Sequence, residues 1–147
     1  MFKHILIPTD GSPVSAKAVK AGIALAKEYG ARVTGYHAVE PVPTHLYGEG
    51  YVADKAMITE FERRRRAAAK KHIAAIARAA TRAGVVFEPM VQIADKPYEG
   101  IVKAAQKRKC DLIFMSSHGH RGLTRLLLGS VADKVIQLSK VPVLVYR

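Results

Sequence analysis

Two glycine-bearing stretches hold most of the residues in this 147-residue chain whose types and spacing could do chemistry. Pro8-Thr9-Asp10-Gly11-Ser12 sets a carboxylate and two hydroxyls around a glycine. The other runs Met115-Ser116-Ser117-His118-Gly119-His120 and continues through Gly122 to Gly129-Ser130-Val131. A carboxylate suits a diol, whereas a glycine-rich loop entering a helix offers an anion free N–H groups and the positive end of a helix dipole. Glycines at 119, 122 and 129 would let the backbone approach a phosphate closely. The same residues also allow plainer readings: an Asx turn at Asp10, and a tight turn with an ordinary N-cap before the second helix. His118 and His120 have no cysteine or acidic pair beside them, which argues against zinc there. Cys110 follows Lys107, Arg108 and Lys109 and reads as a partly buried small residue. Neither a triad order nor a Walker lysine is present, so a dedicated catalyst is not indicated.

Positioning these residues requires regular elements, and the hydrophobic pattern supplies them. Five short apolar runs, Phe2 to Thr9, Arg32 to Val39, Val86 to Ile93, Asp111 to Ser117 and Val141 to Tyr146, read as strands buried on both faces. Ser12 and Pro13 open a helix with an N-cap and an N1 proline, Ala16, Val19, Ile23 and Ala26 share its face, and Gly30 closes it. A longer helix runs from Asp54 to Ala83 with Ile58, Phe61, Ala69, Ile73, Ile76, Ala80 and Ala83 on one stripe. Tyr98, Ile101, Val102 and Ala105 mark a third. A fourth begins at Ser130, with Asp133 three residues later and Val131, Val135 and Leu138 on one face. The order βαβαβαβαβ implies right-handed crossovers and one parallel sheet covered on both sides. In such a sheet ligands bind beyond the carboxyl ends of the strands where the order reverses, and both chemical stretches fall at strand ends. Glu40 to Ala53, with Pro41, Pro43, Gly48 and Gly50, is the longest irregular piece.

Composition narrows the class. With 49% apolar and 24% charged residues the chain is not disordered, and 1–147 reads as a single domain. One cysteine excludes an intrachain disulfide framework, and no run approaches the roughly 18 apolar residues of a membrane span. The expected setting is the cytoplasm, with no membrane partner. The 24 Lys and Arg against 12 Asp and Glu leave a net charge of +12. Half of that excess lies in residues 54–83, which hold nine basic and three acidic residues, including Arg63 to Arg66. Consecutive helical residues point about 100° apart, so four arginines form no single stripe. Glu60 to Arg64 and Glu62 to Arg66 are favourable i,i+4 pairs, and Arg65 is expected to lay its stem beside the apolar stripe with its head in water. No specific nucleic-acid partner is expected, only salt-sensitive binding to polyanions.

Ile5-Leu6-Ile7-Pro8-Thr9-Asp10-Gly11-Ser12 near the start, and Leu126 to Ile136 with Val141 to Arg147 at the end, resemble the two most distinctive blocks of the universal stress protein family. The resemblance covers nearly the whole chain. It implies an α/β, Rossmann-like fold of the adenine nucleotide alpha hydrolase type: a five-stranded parallel open sheet, order 3-2-1-4-5, helices on both faces. It also implies a homodimer through the last strand, Val141 to Tyr146. Nucleotide-binding members carry Gly-x2-Gly-x9-Gly-Ser/Thr after strand 4, and the matching positions here are Ser116, Gly119, Gly129 and Ser130, with serine in place of the first glycine. By this resemblance Asp10 would accept from ribose hydroxyls, Pro8, Thr9 and Ala38 would border the nucleoside, and Met115, Ser116 and His118 would line the pocket. Gly119, Gly129, Ser130 and Val131 would hold the phosphates. Ser116 either stands where glycine relieves a positive φ or a close approach, or donates its hydroxyl to the ligand. The function implied is a cytoplasmic stress-response protein that binds ATP, with Mg²⁺, and regulates an unidentified protein partner or its own assembly. The alternatives are a nucleotide-free dimeric interaction module and an enzyme that hydrolyses ATP slowly.

Overall fold

The computed structural model describes residues 1–42, 54–120 and 128–147. The expected loop at 40–53 therefore lies mostly outside the described residues, as does Gly122. Elements follow the order β1 (His4–Pro8), α1 (Pro13–Tyr29), β2 (Arg32–Val39), α2 (Lys55–Ala83), β3 (Phe87–Ile93), α3 (Pro97–Lys107), β4 (Leu112–Ser116), α4 (Ser130–Leu138) and β5 (Val143–Tyr146). All strand pairs are parallel, and the sheet runs β3-β2-β1-β4-β5. The order reverses between β1 and β4, as the family resemblance implies.

Strand alternation sorts the apolar residues to two faces. Ile5, Ile7, Val33, Leu112 and Phe114 pack with Val19, Ile23 and Ala26 of α1 and Ile73, Ile76 and Ala80 of α2. On the other face Leu6, Tyr36, Met90, Ile113 and Met115 meet Ile101, Val102 and Ala105 of α3 and Ala132 and Val135 of α4. β1 and β4 are buried throughout, as their unbroken apolar runs predict. β3 and β5 are not: each lies at an edge and alternates in burial, because a helix covers only part of an edge strand.

Local signals fix most helix ends. The Ser12 side chain accepts from the Ser15 amide, Pro13 starts α1, and Gly30 ends it at φ 63°. Asp54 caps α2 through the Ala56 amide, and Gly84 ends it at φ 71°. Two expectations fail. Gly129, not Ser130, is the N-cap of α4, and Asp133 bonds Gln137 rather than closing a capping box. Phe61 and Leu138, placed on buried stripes by periodicity, are 42% and 50% exposed, since each helix extends past the layer it packs on. Nothing in α2 before Ala69 is buried.

That overhanging part of α2 carries the arginines. Glu60 bonds both Arg63 and Arg64, which pull its carboxyl down to about 2, while Glu62 and Arg66 form no ion pair among the described residues. Arg65 does more than keep its head in water. Its guanidinium lies 4.6 Å from the Phe61 ring centre and donates to the Glu40 and Pro41 carbonyls, anchoring the chain that leaves β2. Cys110 is fully rather than partly buried, and burial pushes its thiol up to about 11 despite the basic residues before it.

Tyr36 shows how tightly the second layer is fitted. Only 1% exposed, its hydroxyl has no partner among the described residues, and a Cβ on Gly100 would lie 2.2 Å from it. Gly100→Ala is expected to destabilise the fold by about 1–3 kcal/mol through overpacking. Tyr36→Phe removes an unsatisfied buried oxygen and should be near neutral. Combining them should recover most of the alanine cost, and chemical denaturation of the four proteins measures that coupling.

Candidate functional site

At the switch point the loops after β1 and β4 meet. Thr9 leaves the sheet with its amide on the Tyr36 carbonyl, and Gly11 at φ 80° turns the chain into α1. Asp10 Oδ1 accepts from the Ser12 amide at 2.9 Å, the Asx turn that the sequence allows. Its other oxygen accepts from the His120 amide at 2.8 Å, and His120 Nε2 lies 2.9 Å from the Asp10 carbonyl. One carboxylate thus joins both loops across the reversal. Burial raises its pKa, but hydrogen bonds from Ser12 and His120 outweigh that and hold the carboxyl below its ordinary value.

Two glycines let the loops close. A Cβ on Gly119 would fall 2.2 Å from Asp10 Oδ2, and one on Gly129 would fall 2.8 Å from the Ser117 carbonyl oxygen. That same carbonyl accepts from the Gly129 amide at 2.8 Å, so the start of α4 is drawn against the end of β4. Neither glycine has a positive φ, so close approach accounts for both. Ser116 also has no positive φ, which removes strain as the reason for a glycine there. Its hydroxyl donates to the His118 carbonyl at 2.7 Å and stiffens the loop from within, a third role beside the two its sequence position allowed.

The structure therefore brings together Asp10, Ser116, His118, Gly119 and Gly129, with Ser130 opening α4 beside them. Thr9 is close but its hydroxyl is turned inward, to Ser15 Oγ and the Gly11 amide. Pro8 ends β1 opposite Tyr36. Met115 is buried in the second core cluster, and Val131 and Ala38 pack against that cluster from its edge. Ala38 pairs with Gln92 at the end of β2. His118 and His120 diverge, the first to Ser117 Oγ and the second to Asp10. Among the described residues no group of three or more metal-ligating side chains gathers. The sequence reading missed His120 as a tie on Asp10, because a backbone amide leaves no signature in residue type.

Chemically the site offers a carboxylate with lone pairs to spare, a helix N-terminus without a side-chain cap, and a backbone free of side chains at two points. Ser117 and His118 touch at 2.9 Å, but no carboxylate orients that imidazole among the described residues.

Asp10→Asn tests the tie. A depressed folded pKa contributes stability that is complete above the unfolded value, roughly 3.9, and is lost as pH falls through the lower folded value. The stability difference between wild type and Asp10→Asn should hold from pH 7 to about 5 and shrink below about pH 4 in urea titrations. Gly129→Ala pushes against backbone rather than a movable side chain, and is expected to lower the thermal midpoint by several degrees, about 1–3 kcal/mol.

Comparison with known proteins places this arrangement. The model of the universal stress protein family matches residues 1–147. A universal stress protein of Methanocaldococcus jannaschii is 38% identical over 153 residues, spanning all of this chain and 83% of that protein. One of Thermus aquaticus is 38% identical over the full length of both. Among solved structures, the M. jannaschii protein MJ0577 superposes with a TM-score of 0.78 at 31% identity, covering 99% of this chain and 95% of its own. A universal stress protein in complex with cAMP (TM-score 0.72, 22% identity, 99% and 97% covered) and one from Archaeoglobus fulgidus in complex with dAMP (0.63, 19%, 100% and 98%) share the fold. With the predicted strand order in place and relatives aligned along its full length, the chain belongs to the universal stress protein family.

Proposed function

We propose that the chain binds an adenine nucleotide, ATP with Mg²⁺, at the carboxyl ends of β1 and β4, and acts as a cytoplasmic, nucleotide-dependent regulatory or interaction protein. The observation that carries this reading is the closure of the β4 loop onto Asp10. It sets a carboxylate beside Gly119, and the same loop holds the uncapped N-terminus of α4 through the Ser117 carbonyl and the Gly129 amide, so that a diol and a phosphate chain would each find suitable groups. The relatives solved with cAMP and dAMP, and a plant member with AMP bound, support the ligand class. In this reading Asp10 receives the ribose hydroxyls, Pro8, Thr9, Ala38, Met115 and His118 border the nucleoside, and Gly119, Gly129, Ser130 and Val131 face the phosphates. Ser116 acts by holding the His118 carbonyl. Hydrolysis, where it occurs, is slow and secondary. The unit is the whole of 1–147.

A homodimer through residues 141–146 belongs to the same proposal. β5 is an edge strand that alternates in burial, with Leu144 and Tyr146 exposed and no charge before Arg147. An edge of this kind favours pairing with a second chain. Val143→Lys or Val145→Lys should yield a monomer in sedimentation at micromolar concentration, and an unchanged mass would reject this interface.

Calorimetric titration of Mg-ATP into protein stripped of nucleotide tests the central reading. Gly119→Ala, whose added methyl displaces the Asp10 carboxylate, and Asp10→Ala should each weaken binding by about tenfold or more. Ser116→Gly should weaken it less, by the worth of one internal hydrogen bond, about 0.5–1.5 kcal/mol. No binding by folded wild-type protein at millimolar ATP, AMP or cAMP would discard the nucleotide reading in favour of a nucleotide-free interaction module.

A further inference from the structure

Behind the β1 turn, on the α1/α2 face of the sheet, two histidines that play no part in the reading above stand together. His37 comes from the end of β2 and His72 from α2, and their ring centres are 5.2 Å apart with 36° between the planes. The His37 Nδ1 lies 2.8 Å from the Thr9 carbonyl oxygen, which can only accept, so Nδ1 carries the proton and Nε2 is left with its lone pair. Metal-bound histidines are commonly oriented by such a bond from the far nitrogen to a carbonyl. Burial holds the His37 imidazole toward its neutral form, the form that binds a metal. His72 has no hydrogen-bond partner among the described residues, and its ring rests on Gly11, where a Cβ would fall 2.2 Å from it. Two imidazoles sharing one tetrahedral ion at about 2.0–2.1 Å place their ring centres roughly 5 Å apart.

From this geometry we infer that His37 and His72 form a two-histidine site for a borderline-soft divalent cation, of which Zn²⁺ is the type, with water in the remaining positions. Imidazole nitrogens favour zinc, copper and nickel over magnesium or calcium. The inference stands without the nucleotide reading, since neither His37 nor His72 is among the residues that reading uses. Its position gives it a structural effect: one ligand holds the Thr9 carbonyl and the other lies on Gly11, the two residues that flank Asp10.

Zn²⁺ titration of the metal-free full chain tests the inference, read by calorimetry and by imidazole resonances in NMR. One ion per chain should bind, moving the His37 and His72 signals and leaving those of His118 and His120 in place. His72→Phe keeps a ring on Gly11 but has no nitrogen, and should lose more than about tenfold in affinity while retaining the wild-type melting temperature without metal. Zn²⁺ bound equally well by His72→Phe, shifts confined to His118 and His120, or no binding by wild type at millimolar Zn²⁺ would each overturn it. The NMR reading on wild type holds even where a variant fails to fold.

Discussion

Much of the architecture around the switch point depends on one carboxylate satisfying two backbone amides that have no other partner among the described residues. Parallel strands end with their loops facing the same way, so the β1 and β4 loops meet with N–H groups that neither strand can pair. Asp10 takes one from each side, from Ser12 and from His120. An ionised acceptor makes these stronger than ordinary backbone bonds. The arrangement works only because Gly119 leaves room for the carboxylate and Gly129 leaves room for the Ser117 carbonyl. Charge, turn and glycine spacing are thus one device, and the half-buried Asp10, Gly119 and Gly129 are placed by how the loops are fastened.

What the sequence revealed and what it concealed divide along the range of the interactions concerned. Ser12, Pro13, Gly30 and Gly84 were legible because a helix end is decided within a few residues. Strand order followed from the family resemblance. Phe61 and Leu138 were misplaced because periodicity identifies a face but not where the opposing layer stops. The expected cap at Ser130 moved to Gly129 because the Ser117 carbonyl, distant in sequence, takes the Gly129 amide. In the site, Asp10, Gly119 and Gly129 stood out by type and spacing. The His120 amide and the internal bond of Ser116 did not, since both belong to the folded path of the chain.

Part of the excess positive charge has a local role in α2. α2 contains 29 residues, about 44 Å of helix, and packs only through its later turns. Its early turns hold their arginines by separate means: Arg63 and Arg64 on Glu60, and Arg65 on Phe61 and the carbonyls after β2. Individual exposed pairs of this type contribute little stability. Arg65 differs, because it fixes where the chain leaves the sheet.

The fit between Tyr36 and Gly100 also bears on how this sequence can drift. With the phenol in place, every side chain at position 100 meets an oxygen 2.2 Å from its first carbon. Loss of the hydroxyl, by contrast, breaks no bond among the described residues. Substitution at 100 is therefore open only to lineages that have already changed position 36, whereas the reverse order passes through an overpacked intermediate. Two residues on different elements thereby impose a direction on evolutionary change, and chains of this fold that carry a larger residue at 100 should differ from this one at 36 as well.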